Sequence, residues 1–304
     1  DEQVSENPPA PEEPEEPEEQ VEDGSDDPAL MLLAIEALAA PDVSVPFTFA
    51  LVFKAGDVTK GDTLYLDSNN GQAIGLQMDI KALHADGSVR HAVLSGIVPQ
   101  ILEIGTVNYL LRKGDVASFG QSAAYGQLLD ESFDVKISLE VDGVIYRTSA
   151  TELFGNAESL ETWLQGSVVE EWQADGQLYD PEGRPHPHLA VRLALRSYGN
   201  GNRARISVGI ENGWAYEPSP GNVSYNLLVV VNGQQVMEQT DLTHYHHARW
   251  RRLFWVGNEP QIHIRHDYDY LAATGAVPTY DQEVDISDSV IRSLDEKWQA
   301  GGYD

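Results

Sequence analysis

The chain has 304 residues, enough for one large or two ordinary domains with a sizeable buried core. Its formal charge is -30, and thirteen acidic residues with no lysine or arginine precede Pro28. The remainder is still acidic, which argues against DNA, RNA or an anionic membrane as a general partner, and the lack of cysteine excludes disulfides, thiolate metal sites and cysteine nucleophiles.

Residues 1–28 are Glu/Pro-rich and low in complexity. They are expected to form a disordered, stiffened tether, because like charges repel and proline favours extended backbone. A calcium-attracting or partner-binding acidic tail is the functional alternative. Tethers of this kind commonly follow a lipid-anchor site, so lipid-tethered surface attachment is one expectation. The apolar run from Ala29 to Ile35 is far too short to span a bilayer. With Asp1 first and no signal-peptide pattern, the chain reads as a mature product or one whose targeting segment was removed.

Residues 29–40 are helical by composition, although their spacing also fits a buried strand. Strands follow: Val45 to Phe53, Leu64 to Leu66 before an Asn69-Asn70-Gly71 hairpin turn, Leu76 to Ala82, and Val89 to Val98 after the Asp86-Gly87 turn. Short strands every eight to twelve residues predict an all-β sandwich or barrel. Small and polar residues near 118–130 mark a boundary. Beyond it, Phe133–Val141 and Val144–Arg147 flank Asp142-Gly143, a hairpin signal. A short helix is expected at Glu158–Trp163 and an edge-like acidic strand at Val168–Ala174. His188–Tyr198, Arg203–Glu211 and Tyr225–Val231, the last turning at Asn232-Gly233, continue a β meander, and residues 286–298 predict a helix whose apolar face is Val290, Ile291, Leu294 and Trp298.

The segments "VPFTFALVFKAGDV", "GLQMDIKALHADGSVRHAVLSGIVP", "THYHHARWRRLFW" and "RHDYDYLAATGAVPTYD" resemble the RIFT-barrel-type N-terminal β region of exo-rhamnogalacturonan-lyase-like proteins, including bacterial and phage-associated relatives. The likeness spans roughly residues 40–298. It implies an all-β fold: a RIFT-like β-barrel or sandwich over 29–120, a second antiparallel β-sandwich over 121–268, and a linker with a short C-terminal helix over 269–304. In such proteins a helical toroid follows, and this chain is expected to be a fragment that leads into one.

Between His244 and Asp267 lie five of the nine histidines and four arginines, interleaved with tyrosine and tryptophan. If the segment is extended, His244 and His246 share one side while His247, Arg249 and Arg251 share the other. Gly257-Asn258-Glu259-Pro260 then turns the chain, so a hairpin can bring His263 and Arg265 alongside. Three readings compete. In the first, the cluster is a carbohydrate site. Arg249, Trp250, Arg251, Arg252, Arg265 and Asp267 bind an acidic sugar, and His244, Tyr245, His246, His247, His263 and His266 supply the acid–base chemistry of β-elimination. In the second, His244, His246 and either His263 or His266 hold a transition metal. In the third, the Arg/Trp face docks a further domain. The first leads, with no metal or cofactor required.

Smaller candidates are weighed the same way. Between His84 and His91, Asp86-Gly87 is expected to turn the chain, with Arg90 and His91 stabilising the turn. Arg184-Pro185-His186-Pro187-His188 reads as a rigid surface loop. Trp172, Trp214 and Tyr216 form a carbohydrate platform only if exposed. Arg192, Arg196, Arg203 and Arg205 form a local basic zone that extends an anion site or pairs with acids. The expected function is recognition of, with cleavage by β-elimination in the complete protein, an acidic or rhamnose-containing polysaccharide at the cell surface or outside the cell. The expected partners are that polysaccharide and a C-terminal helical domain of the same protein, without nucleic acid or a membrane span. The alternative is a non-catalytic module of a larger cell-surface or virion protein.

Overall fold

A computed structural model describes residues 28–68, 73–116, 133–156, 160–199, 203–277 and 287–299. The acidic tail, the Asn69-Asn70-Gly71 turn and the boundary near 118–130 lie outside the described residues. The described chain is all-β, with two nearly closed, barrel-like antiparallel sheets and three short helices.

The first sheet contains β1 (Met31–Ala37), β2 (Asp42–Val52), β3 (Leu64–Ser68), β4 (Ala73–Leu83), β5 (Val89–Ile101) and β6 (Gly105–Lys113). A seventh strand, β16 (Ile262–Arg265), returns to it from far along the chain, giving the order β16-β1-β6-β3-β4-β5-β2. The helical composition of residues 29–40 is overridden by tertiary pairing. Met31, Leu33, Ile35 and Ala37 are buried at period two, and β1 is bonded to β6 on one side and β16 on the other. β4 pairs with β3 over Ala73–Leu76 and with β5 from Gln77 onward, so one long strand carries the sheet around a corner. β16 falls inside the stretch assigned to a second unit at 121–268, yet it completes the first sheet because Ile262 and Ile264 pack against the first core.

The second sheet holds β7 (Val135–Val141), β8 (Val144–Ser149), β9 (Glu161–Gln165), β10 (Val169–Tyr179), β11 (Pro185–Tyr198), β12 (Ala204–Asn212), β13 (Val223–Val231), β14 (Gln234–His244) and β15 (Arg249–Val256). Its order is β14-β13-β7-β8-β10-β11-β12-β15, with β9 added beside β10. The end strands β14 and β15 are consecutive in the chain and joined at 245–248, which brings the sheet nearly full circle. Asp142-Gly143 and Asn232-Gly233 make the tight hairpins, each with both residues at positive φ.

Two local expectations are corrected. The helix sought at Glu158–Trp163 starts outside the described residues, and its described part, from Leu160, leads into a strand. A helix lies upstream instead, α1 (Ala150–Gly155), opened by the N-cap Ser149, whose Oγ accepts from Glu152 N at 3.2 Å and donates to the Glu152 carboxylate at 3.0 Å. Glu161–Gln165 is β9. The strand at Val168–Ala174 is not an edge: β10 is bonded to β11 on one side and to β8 and β9 on the other. The remaining helices are α2 (Tyr268–Ala273) and α3 (Asp288–Gln299).

Each barrel has its own apolar core, and a small third cluster joins them: Val93 of β5 against Leu164, Val169 and Tyr198 of the second barrel. The outward side chains of β4 complete the joint. Gln77 Oε1 accepts from Val168 N and Val169 N, both at 2.9 Å, while its Nε2 donates to Val169 O at 2.9 Å. Asp79 Oδ1 accepts from Gln165 N at 2.9 Å, and Lys81 bonds Trp163 O and lies 4.0 Å from that ring's centroid. Gly166 is required here, since a Cβ would run into the Gln77 side chain.

Candidate functional site

The His/Arg stretch is not one extended strand. His244 ends β14, Arg249 begins β15, and the residues between make a turn in which His247 takes φ 63°. His244 is buried with both ring nitrogens engaged, Nδ1 with Tyr225 OH at 2.9 Å and Nε2 with Ala248 O at 2.9 Å. It braces the turn, so neither a catalytic nor a metal-ligand role fits it. The rings of His246 and His247 lie 3.8 Å apart, and their backbone amides donate to Asn222 Oδ1 and Asn212 O. Tyr245 is exposed.

Nor do the two halves of the cluster form a hairpin with each other. β15 pairs with β12 in the second barrel and β16 with β1 in the first, so residues 257–261 cross between barrels. The reason lies in the alternating apolar residues. Trp250, Phe254 and Val256 pack against the second core, whereas Ile262 and Ile264 pack against the first. As the alternation predicts, His263 and Arg265 share the opposite side of β16 from the isoleucines. Arg265 is tied to Glu36 at 2.8 Å on the first barrel's outer surface. Asp267 caps α2, its Oδ1 accepting from Tyr270 N at 2.9 Å, and it serves the fold there.

What the fold builds instead is a polar face across β10, β11, β12 and β15. Strand register carries residues of one face across the sheet in rows. One row runs Glu171, Arg196, Arg205, Trp255; the next Gln173, Ala194, Ser207, Leu253; the next Asp175, Arg192, Gly209, Arg251. The reverse face carries the core residues Trp172, Leu193, Leu195, Ile206 and Val208. Small residues in the middle rows leave a groove of about 250 Å³, floored by Ala194, Ser207 and Gly209 and walled by Arg192, Arg249, Arg251, Glu161 and Asp175. Arg251 donates to Ser207 Oγ at 2.8 Å and makes no ion pair among the described residues. Glu211 binds both Arg192, at 2.9 Å, and Arg249. Arg249 and Arg251 therefore belong to the groove. Arg252, at a register position paired with Val208, and Trp250, paired with Ile210, belong to the other face.

The groove runs into the cleft between the barrels. The Glu171 carboxylate is buried and bonded to Arg196 Nε, with Arg205 Nη2 3.5 Å away. Arg196 donates to Tyr198 OH at 3.4 Å, and Tyr198 OH meets Thr48 Oγ1 at 3.2 Å, which in turn meets buried Ser95 at 2.9 Å. A continuous polar chain thus connects β10 of the second barrel to β5 of the first. Around it a cleft of about 260 Å³ is lined by Pro46, Thr48 and Phe49 of β2, by Arg196, Tyr198, Arg205 and Trp255, and by His263 and His266. The His266 ring packs edge-on to Phe49 with centroids 5.5 Å apart. That partial covering, and then the neighbouring His263, lower its pKa and keep it mostly neutral near pH 7.

The sequence pointed to Arg192, Arg196 and Arg205 only as a basic zone, and it missed Glu171, Tyr198 and Trp255. The signal was present in the alternation of Arg192 with Arg196 and of Arg203 with Arg205, but register was needed to lay these beside Glu171. The Asp86 turn is structural as expected: Asp86 Oδ1 accepts from Ser88 N and Ser88 Oγ, and His84 Nε2 bonds Phe53 O. The Arg184–His188 segment is not a surface loop, because Pro185 opens β11 and His186 is buried, its Nδ1 accepting from His188 N and Leu189 N. Trp172 is core, whereas Trp214 and Tyr216 are exposed. Among the described residues no group of three or more His, Asp or Glu side chains is placed to hold a metal ion, and no helix is long and apolar enough to cross a membrane.

Residues 33–99 match the sequence model of the PcRGLX-like N-terminal RIFT barrel domain, so over that region the resemblance read from the sequence holds and the first barrel is of the RIFT type. No curated protein sequence matches the chain. Among solved structures it is similar to a protein in the glycosyl hydrolase family 38 from Enterococcus faecalis, at 6% identity and a TM-score of 0.37, over 81% of this chain and 45% of that one. At that score the likeness bears on neither fold nor function, and this chain spans less than half of that protein's length.

Proposed function

We propose that this chain is the β region of a carbohydrate-active protein, and that its groove recognises an acidic polysaccharide. The observation that carries this reading is the outward face of β15 and its neighbours. There Arg192, Arg249 and Arg251 stand over a floor of small residues, on the surface of a strongly acidic chain. A planar guanidinium meets a uronate carboxylate through two parallel hydrogen bonds, and the interspersed Gln173, Asp175 and Ser207 offer partners for ring hydroxyls. Extracellular or cell-surface placement follows from a polysaccharide ligand.

Cleavage by β-elimination needs a base for the proton beside the carboxylate and positive charge to hold the enolate-like intermediate. His263 and His266 at the cleft mouth, with His266 mostly neutral near pH 7, suit the first need; Arg196 and Arg205 suit the second. The full activity is assigned to this β region together with a helical domain. A non-catalytic module of a larger surface or virion protein is the second reading, favoured by the exposed apolar Val290, Ile291 and Leu294 on α3.

Calorimetry with polygalacturonate and with a neutral glucan tests recognition, and ultraviolet absorbance of unsaturated ends tests cleavage. Polygalacturonate is expected to bind and the neutral glucan not, with Arg251→Ala weakening binding about tenfold. Equal binding of both polymers, or none of either, removes the reading in favour of the interaction module.

A further inference from the structure

The inter-barrel cleft holds an imbalance that the groove does not. Arg196 and Arg205 face one carboxylate, Glu171, which is bonded to Arg196 and only loosely approached by Arg205. Two N–H donors at the cleft, Arg205 Nε and Trp255 Nε1, are buried and meet no acceptor among the described residues. These two residues are direct register partners on β12 and β15, so both side chains stand on the same face of the sheet, and both line the cleft. The Trp255 ring is held in place by stacking on Tyr198, 6.0 Å between centroids and 10° between planes. Burial first, and then the charge of Arg196, press the Arg205 pKa below its ordinary value, as befits a cation short of counter-charge. Buried donors left unpaired are costly, and a pair of them beside excess positive charge matches an anion with two acceptor oxygens.

We infer that the cleft between the barrels is a separate binding site for one carboxylate-bearing sugar ring, with Arg205 Nε and Trp255 Nε1 donating to the carboxylate. The choice of a sugar carboxylate over another small anion rests on the proposed function; the anion site itself does not. Pro46 and Phe49 of β2 supply an apolar wall for the ring's C–H face, and Thr48 and Tyr198 supply hydroxyls. The cleft's size suits a single ring. Because its walls come from both barrels, occupancy ties the barrels together and raises the melting temperature of the chain.

The test is calorimetry and thermal melting of the full chain with millimolar glucuronate, with glucose as its neutral counterpart and sulfate as a bare anion. Glucuronate is expected to bind and raise Tm, sulfate to compete with it, and glucose to do neither. Trp255→Phe keeps the stack on Tyr198 but deletes one donor, and Arg205→Lys keeps the charge but loses the Nε geometry; each is expected to weaken glucuronate about tenfold. Arg252→Ala, on the other face of β15, is expected to leave it unchanged. Equal binding of glucose, or full glucuronate affinity in Trp255→Phe and Arg205→Lys, overturns the proposal. The two readings fail separately. Polygalacturonate binding without glucuronate binding removes only the cleft site, and glucuronate binding without polygalacturonate binding removes only the groove.

Discussion

Each barrel buries an arginine, but the two arginines are treated differently. In the first barrel Arg112, only 2% exposed, is ion-paired with Asp67 at 3.1 Å. In the second, Arg196 and Arg205 share Glu171, and donors on Arg205 and Trp255 remain unmet among the described residues. A balanced pair is complete without a ligand and serves the fold. An unbalanced one is complete only with a counter-ion from outside. The same contrast separates Arg265, tied to Glu36, from Arg251, which has a hydroxyl partner and, among the described residues, no carboxylate.

The comparison is broken most directly at Glu171. Glu171→Gln leaves the buried Arg196 guanidinium, with the partly buried Arg205 beside it, without a carboxylate partner and is expected to cost about 3–5 kcal/mol in urea unfolding. Sulfate should restore part of that loss by binding the folded state. A loss under about 1 kcal/mol, or none recovered by sulfate, shows that the cluster has no shortage of negative charge.

A second effect, at most about 3 kcal/mol, belongs to a buried group that avoids the problem by staying neutral. Burial, with some help from His188, lowers the His186 pKa from 6.5 to about 4. The unfolded chain takes up this proton first, so the contribution is complete above pH 6.5 and is lost as pH falls from there toward 4. His186→Asn should flatten that part of the stability–pH curve. A curve unchanged by the substitution assigns the acid loss to other groups.

Arg112→Met sharpens the contrast from the other side. It removes an ion pair whose Asp67 side chain is 33% exposed, so about 2 kcal/mol is expected, and sulfate should recover none of it. Smallest is the comparison of the two faces of β15. Arg251→Ala should weaken polygalacturonate about tenfold while Arg252→Ala changes it less than about twofold, at equal stability. Equal losses for both would mean that strand register does not define the site.

Alternation and turn chemistry were enough to read the all-β class, most strands and the Asp142-Gly143 and Asn232-Gly233 hairpins, because these depend on neighbours two to four residues away. The RIFT character of residues 33–99 was also readable, since it lies in contiguous segments. Alternation likewise put Arg249 and Arg251 on one face and His263 and Arg265 on one side. It could not tell β1 from a helix, whose outcome hung on partners at Tyr109 and Ile264. It grouped His244 with the exposed histidines, although Tyr225 and Ala248 hold it inside. Above all, it joined β15 and β16 into one cluster, while their apolar faces send them to different cores. Pairing partners, burial and charge balance depend on residues far apart in the chain, and those are set only when the two barrels close and meet. The His/Arg segment contributes Arg249 and Arg251 to the groove and His263 and His266 to the cleft; the groove and the cleft exist because Glu171, Arg196, Arg205 and Trp255 come from four strands in one register.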